Sequence, residues 1–282
     1  MQRVSNSAFV VFFMKLPQLL LAGLIYSAGL SACLAVSISA AWLSGFYNMI
    51  IGGLGLIPAT LLLPGLVMVV RKYGVEKQFV PVVPTFFKAV RENLKAFILH
   101  GFVLYLVVTC SVFAVLYYGS GALASPIYSM VLMIYVLFSC VLFIALFYLP
   151  LMSVTYHLRL RDLYKNAIML VFGTILRNIA ALAYAALLFG TAFLAFLSAR
   201  GVLRWITLGI IALFLPLMLC YGVTAIISKG MQSSVGPFVG VTPVKKGEIT
   251  EEDIEAAVEV NTEDDYVFVN GKMIRNPNKT NQ

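Results

Sequence analysis

The chain has 282 residues, of which 61% are hydrophobic and 11% are charged. An ordinary soluble domain is about half apolar and about a quarter charged, so this composition excludes a water-soluble fold and predicts an integral membrane protein. The net charge is +8, but nine of the 12 acidic residues lie beyond position 244. We therefore expect a basic transmembrane domain over residues 1–230 and an acidic, cytoplasmic tail over residues 231–282.

Six stretches are apolar over about the 20 residues needed to cross the hydrocarbon core of a bilayer. They lie near residues 19–43, 49–70, 96–118, 127–153, 178–198 and 204–227. Within lipid each stretch must be a helix, because backbone N–H and C=O groups cannot be left without hydrogen bonds there. The predicted fold class is all-α, a polytopic bundle of about six transmembrane helices.

The first span contains small residues that predict close contact with a neighbouring helix. Ala28, Ala32, Ala35 and Ser39 recur at helical spacing, and small side chains let membrane helices approach closely. Ser27 and Ser31 are interpreted as packing groups of the same kind. Lining of a solute path is the alternative for these serines.

The second span contains the segment "GGLGLIPAT", which is rich in glycine and proline. Its candidate residues for packing or for a pathway are Gly52, Gly53, Gly55, Pro58 and Thr60. A phosphate-binding loop needs a preceding strand and a defined glycine spacing, so nucleotide binding is excluded. Two interpretations remain: close helix packing through Gly55 and Ala59, or a locally unwound helix that lines a cavity.

Two basic segments between spans predict amphipathic helices at the membrane surface. In "PTFFKAVRENLKAF" the apolar side consists of Phe86, Phe87, Val90 and Leu94. In "RDLYKNAIMLVFGTILRN" it consists of Leu163, Tyr164, Ala167, Ile168 and Val171, with Asp162 as the expected N-cap. The basic residues predicted to contact anionic lipids or a partner protein are Arg71, Lys72, Lys88, Arg91, Lys95, Arg159, Arg161, Lys165 and Arg177.

The distribution of basic residues predicts the orientation of the spans. If both termini are cytoplasmic, 18 Lys and Arg residues lie on the inner side and only Arg200 and Arg204 lie outside. Loops on the cytoplasmic side of membrane proteins carry the excess of Lys and Arg. We expect a multi-pass protein of the bacterial plasma membrane with cytoplasmic N- and C-termini.

In the acidic tail, Thr250 is the expected N-cap of a short helix. Further on, "YVFVNGKMIR" places Asn-Gly between two alternating runs. Asn-Gly at such a position is a strong signal for a two-residue β-hairpin turn. The tail is therefore predicted to contain a helix followed by a hairpin.

Three segments, "LIPATLLLPGLVMVVRKYG", "FFKAVRENLKAF" and "YLPLMSVTYHLRLRDLYKNAIMLVFGTILRNIAAL", resemble the YesL-like family of bacterial membrane proteins, a domain of unknown function. The resemblance covers roughly residues 40–195. Members of that family often occur beside sugar-uptake ABC importers and polysaccharide-degrading enzymes in gram-positive bacteria. The resemblance implies an accessory or regulatory subunit of oligosaccharide ABC import that contacts permease or ATPase subunits. It implies no catalytic residues.

No enzyme chemistry, cofactor, metal or nucleic-acid partner is expected. The four cysteines lack the paired spacing of a metal site, and no span contains an acidic residue of the kind that proton-coupled carriers use. His100 and His157 are interpreted as polar residues at the membrane interface. The alternative function is a stand-alone carrier or channel for a small neutral solute, centred on the glycine- and proline-rich segment.

Overall fold

The structure is a computed structural model that describes residues 8–44, 49–76, 78–123, 125–156, 158–239, 266–269 and 272–275. Within these ranges the chain forms nine α-helices, one π-helical turn (Arg71–Val75) and two strands. The helices are α1 (Ala8–Leu43), α2 (Met49–Gly53), α3 (Leu56–Thr60), α4 (Leu63–Val70), α5 (Val82–Gly121), α6 (Pro126–Thr155), α7 (Leu160–Gly173), α8 (Ile175–Ser198) and α9 (Val202–Val239). The strands are β1 (Tyr266–Val269) and β2 (Lys272–Arg275).

Five of the described helices are long and apolar enough to cross a membrane: α1, α5, α6, α8 and α9. The helical segments Ile50–Thr60 and Leu63–Val75 are bent by 49° relative to each other. They form a sixth crossing if the pair is counted as one span. The predicted polytopic helical bundle is confirmed. Each of the six predicted apolar stretches is helical over most of its length.

The second crossing is broken where its sequence interrupts the hydrogen bonds of a helix. Pro58 and Pro64 have no N–H to donate to the carbonyl groups four residues earlier, those of Leu54 and Thr60. Helix α3 ends at Thr60 and α4 begins at Leu63. The bend therefore follows from the positions of the prolines.

Contacts between distant segments place several helix ends together. Lys15 Nζ, near the start of α1, donates to the carbonyl oxygen of Tyr73 at 2.9 Å. Arg71 Nη1 donates to the carbonyl oxygen of Val154, near the end of α6, at 3.4 Å. The starts of α1 and α5, the ends of α4 and α6, and all of α7 thus lie at one end of the bundle. We call this end the basic end.

The first predicted amphipathic helix is not a separate element, because α5 runs unbroken for 40 residues from Val82 to Gly121. The sequence contains neither glycine nor proline between Pro84 and Gly101, so nothing ends the helix before the span. Its buried side differs in part from the prediction. Phe86 is buried together with Ala89 and Phe97, whereas Phe87 and Leu94 are exposed.

The second predicted amphipathic helix is a separate element, α7, which ends at Gly173 before α8 begins at Ile175. It buries Leu163, Ala167 and Val171 as predicted, but Ile168 is exposed. Arg159 occupies the N-cap position and Asp162 lies in the first turn. The N-cap prediction is therefore wrong by one turn, although a carboxylate in the first turn still favours a helix N-terminus.

The small-residue side of α1 does not pack within the bundle, because Ala28, Ala32, Ala35 and Ser39 are all exposed. The other side packs instead: Ser27 Oγ donates to the carbonyl oxygen of Leu213 on α9 at 3.0 Å. Helix α1 is apolar on nearly every side, so residue spacing alone does not indicate which side meets a neighbouring helix.

In the tail, β1 and β2 pair antiparallel with Val269 opposite Lys272, the register that a two-residue turn requires. The predicted hairpin strands are present. The turn residues Asn270 and Gly271, the predicted helix after Thr250 and His157 lie outside the described residues.

Candidate functional site in the bundle interior and at the basic end

A half-open cavity of about 210 Å³ lies among the helices beside the break in the second crossing. Thr60 and Leu63, which flank the break, both line the cavity. Apolar side chains from α5, α6 and α9 form much of the remaining wall: Leu104, Phe143, Leu146, Phe147, Leu219 and Val223. The lining of the cavity therefore consists mainly of hydrocarbon side chains.

His100 lines the same cavity and is buried, with 4% of its surface exposed. Its Nδ1 lies 2.8 Å from the hydroxyl of Tyr164 on α7, and its Nε2 lies 3.4 Å from Ser153 Oγ on α6. Burial raises the pKa of Tyr164 to about 12, so the phenol stays protonated. Because a hydroxyl group can donate or accept, the tautomer of His100 sets the direction of both hydrogen bonds.

His100 is therefore not an exposed rim residue, since it is buried and its ring joins α5, α6 and α7. Sequence alone could not identify Tyr164 and Ser153 as its partners. They lie 64 and 53 residues away along the chain, and no local motif connects them.

Thr60 and Gly101 mark a close backbone approach between α3 and α5. The Thr60 hydroxyl is shared between the carbonyl oxygens of Ile57 at 2.7 Å and Phe97 at 3.3 Å. A Cβ atom added to Gly101 would overlap Thr60 Oγ1 and lie 2.9 Å from the Ile57 carbonyl oxygen. Gly101 is therefore required for this contact, although a single glycine in an apolar run gives little sign of such a role.

The glycine- and proline-rich segment contains both packing residues and a cavity residue. A Cβ added to Gly55 would lie 2.5 Å from the Cys33 carbonyl oxygen, and one added to Gly53 would lie 3.2 Å from Thr109 Oγ1. The Gly52 carbonyl accepts a hydrogen bond from Ser37 Oγ at 2.7 Å. In this segment the glycines meet α1 and α5, while Thr60 faces the cavity.

The basic residues singled out in the sequence fall into two groups. Six are exposed at the basic end: Lys88, Arg91, Lys95, Arg159, Arg161 and Lys165. The other three, Arg71, Lys72 and Arg177, are buried or partly buried. Of these nine residues, the six exposed ones present an accessible positive surface.

Arg71 and Lys72 both pair with Glu76. Arg71 Nη2 lies 2.5 Å from one carboxylate oxygen and Lys72 Nζ lies 3.0 Å from the other. Arg177 packs against Gly230, and its Nη1 is a buried atom without a hydrogen-bond partner among the described residues. Arg71 also links the π-helical turn to α6 through the carbonyl oxygen of Val154.

The fold and these surfaces define the class of protein: a polytopic helical membrane protein with a half-open apolar cavity and a positively charged end. Comparison with known protein families, curated proteins and solved structures finds no match to the chain. The described residues contain no group of three or more His, Cys, Asp or Glu side chains able to hold a metal ion.

Proposed function

We propose that the protein is a non-enzymatic accessory or regulatory subunit associated with an ABC importer for oligosaccharides. The observation that carries this proposal is the set of six exposed cations at the basic end, three on the first turns of α5 and three around the start of α7. The resemblance to YesL-like proteins supplies the class of partner, the permease or ATPase subunits.

In this proposal the basic end faces the cytoplasm of a bacterial cell, as the excess of Lys and Arg favours. Both termini are then cytoplasmic. An ATPase subunit would meet the protein on this side, and anionic lipid would compete for the same surface. Each Lys or Arg near an anionic leaflet contributes about 1 kcal/mol of attraction. Anionic lipid headgroups therefore contact these side chains when no partner is bound.

The alternative function is a stand-alone carrier or channel for a small neutral solute, and the cavity argues against a sugar as that solute. A sugar carries many hydroxyl groups, and burying a polar group without a hydrogen bond costs about 1–3 kcal/mol. The walls of the cavity are largely aliphatic and aromatic. An apolar cavity of this kind therefore does not support a carrier whose solute is a sugar.

The proposal predicts that the protein purified in mild detergent brings ABC permease or ATPase subunits with it. Combined reversal of charge in Lys88→Glu, Arg91→Glu and Lys95→Glu should lower the recovered partner about fivefold or more, because like charges across an interface are costly. The amounts are measured by quantitative mass spectrometry of the purified material.

The matched control is Arg200→Glu, since Arg200 is exposed and lies just before α9 begins, at the opposite end of the bundle. Its recovery of partner should equal that of the unaltered protein. Isolation of the protein alone at every detergent strength would count against the proposal, as would an equal loss in the control.

A further inference from the structure

We propose that the acidic segment of the tail, residues 248–265, docks on the basic start of α7 in the same chain. The docking surface consists of Arg159, Arg161 and Lys165, and we call it the α7 surface. The inference goes beyond the proposed function and does not depend on it, because it concerns a contact within one chain. It rests on the exposure of these cations, on the charge of the segment and on the place where α9 ends.

The α7 surface is positive and open. Its three side chains are exposed, and the part of the chain that the structure describes offers none of them an ion pair. Glu76 is already paired with two other cations, and Asp162 is a single carboxylate on the same helix. The N-terminus of a helix adds a partial positive charge of its own. The surface therefore favours an anionic occupant.

The acidic segment has the complementary charge. It contains nine of the 12 acidic residues of the protein and neither lysine nor arginine, and it lies outside the described residues. Residues 245–282 supply only five Lys and Arg, whereas residues 1–244 supply 15. A block of like charges repels itself and is typical of an interaction tail. Most of the charge that could neutralise this block is therefore on the helical bundle.

The end of α9 places the segment within reach of the α7 surface. A Cβ added to Gly230 would lie 3.2 Å from Thr174 Cγ2, just after the last residue of α7. At 1.5 Å per helical residue, Lys165 lies about 14 Å before this contact and Val239 about 14 Å beyond it. The two are then about 35 Å apart at most. The connection 240–250 can span about 36 Å, so the carboxylates that follow it can reach the surface.

Anionic lipid headgroups compete for the same cations, but the segment has an advantage over them. It is covalently attached to α9 and carries nine carboxylates in one short stretch. Attachment keeps the concentration of the segment near the surface high without any new contact. The docked segment then occupies the three exposed cations of α7 and limits access to them, whereas lipid keeps its contacts with the three on α5.

The test is zero-length cross-linking with a water-soluble carbodiimide, which joins a carboxylate to a lysine amine in direct contact. The full-length protein is used in a neutral maltoside detergent, without lipid or partner. Cross-linked peptides should join Lys165 to the acidic segment at about five times the yield for Lys88 or Lys95, because docking holds the carboxylates beside it. In a mixture of isotope-labelled and unlabelled protein, cross-linked peptides of mixed composition should be rare.

Salt and two double variants examine the role of charge. Raising the salt concentration from about 0.1 M to about 1 M shortens the Debye length from about 10 Å to about 3 Å, so the Lys165 cross-link should fall about fivefold or more. Arg159→Glu with Arg161→Glu keeps the reacting amine and should lower the cross-link similarly. Lys88→Glu with Arg91→Glu is the matched control, since it makes the same change of charge at exposed positions of the same end. The control should cross-link like the unaltered protein.

Equal cross-linking of Lys165, Lys88 and Lys95 would overturn the α7 surface as the docking site, as would equal losses in the two double variants or a cross-link insensitive to salt. Cross-links mainly of mixed isotope composition would overturn docking within one chain. If a variant fails to fold, the salt dependence and the comparison of lysines in the unaltered protein still decide. Recovery of ABC subunits plays no part in the experiment, so its result is separate from the proposed function.

Discussion

Asn178 connects three helices at the basic end, and 2% of its surface is exposed. Its Nδ2 donates to the carbonyl oxygens of Leu170 at 3.0 Å and Val171 at 2.7 Å, near the end of α7. Its Oδ1 accepts from the hydroxyl of Tyr148 on α6 at 2.7 Å. The last carbonyls of a helix lack i+4 N–H partners within that helix. Asn178 donates to two of them, and the Leu170 carbonyl also accepts from Thr174.

We predict that Asn178→Leu lowers the free energy of unfolding by about 1–3 kcal/mol, the cost of leaving buried polar groups unpaired. Reversible denaturation in mixed micelles measures this change. Asn93→Leu is the matched control, because Asn93 donates only to Ala89 of its own helix, at 2.9 Å. The control should change stability by less than about 0.5 kcal/mol, and equal losses in the two variants would contradict the role of Asn178.

At the scale of elements, the contact between α3 and α5 depends on the absence of a side chain at Gly101. We predict that Gly101→Leu destabilises the protein by about 1–3 kcal/mol, because overpacking forces the two helices apart. The midpoint of thermal unfolding in one detergent reports this effect.

Gly209→Leu is the control at this scale, since a Cβ added at Gly209 meets nothing within 4 Å. Its unfolding midpoint should stay close to that of the unaltered protein. A Gly101→Leu variant as stable as Gly209→Leu would show that α3 and α5 do not approach as closely as the structure indicates.

At the scale of the whole molecule, six crossings would place the start of α1 and the end of α9 on the same side of the membrane. The basic end holds all nine of the basic residues singled out in the sequence, whereas Arg200 and Arg204 lie at the opposite end. The positive-inside rule then predicts that the basic end faces the cytoplasm.

Labelling with a membrane-impermeant maleimide tests this orientation in a background in which Cys33, Cys110, Cys140 and Cys220 are replaced. Arg200→Cys should react in intact cells. Lys165→Cys should react only after the cells are permeabilised, because it would lie on the inner side. The reverse labelling pattern would show that the topology is inverted. The surface proposed to bind the partner would then not face the cytoplasm.

The sequence by itself determined where the helices lie, because a bilayer requires each long apolar stretch to satisfy its own backbone hydrogen bonds. It also indicated the hairpin, since Asn-Gly has a strong local preference. Only the tertiary structure decided which side of α1 packs, that α7 covers His100, and which basic residues are exposed. The reason is that lipid and protein interior are equally apolar, so the pattern of apolar residues along a membrane helix does not distinguish a packed side from a lipid-facing one.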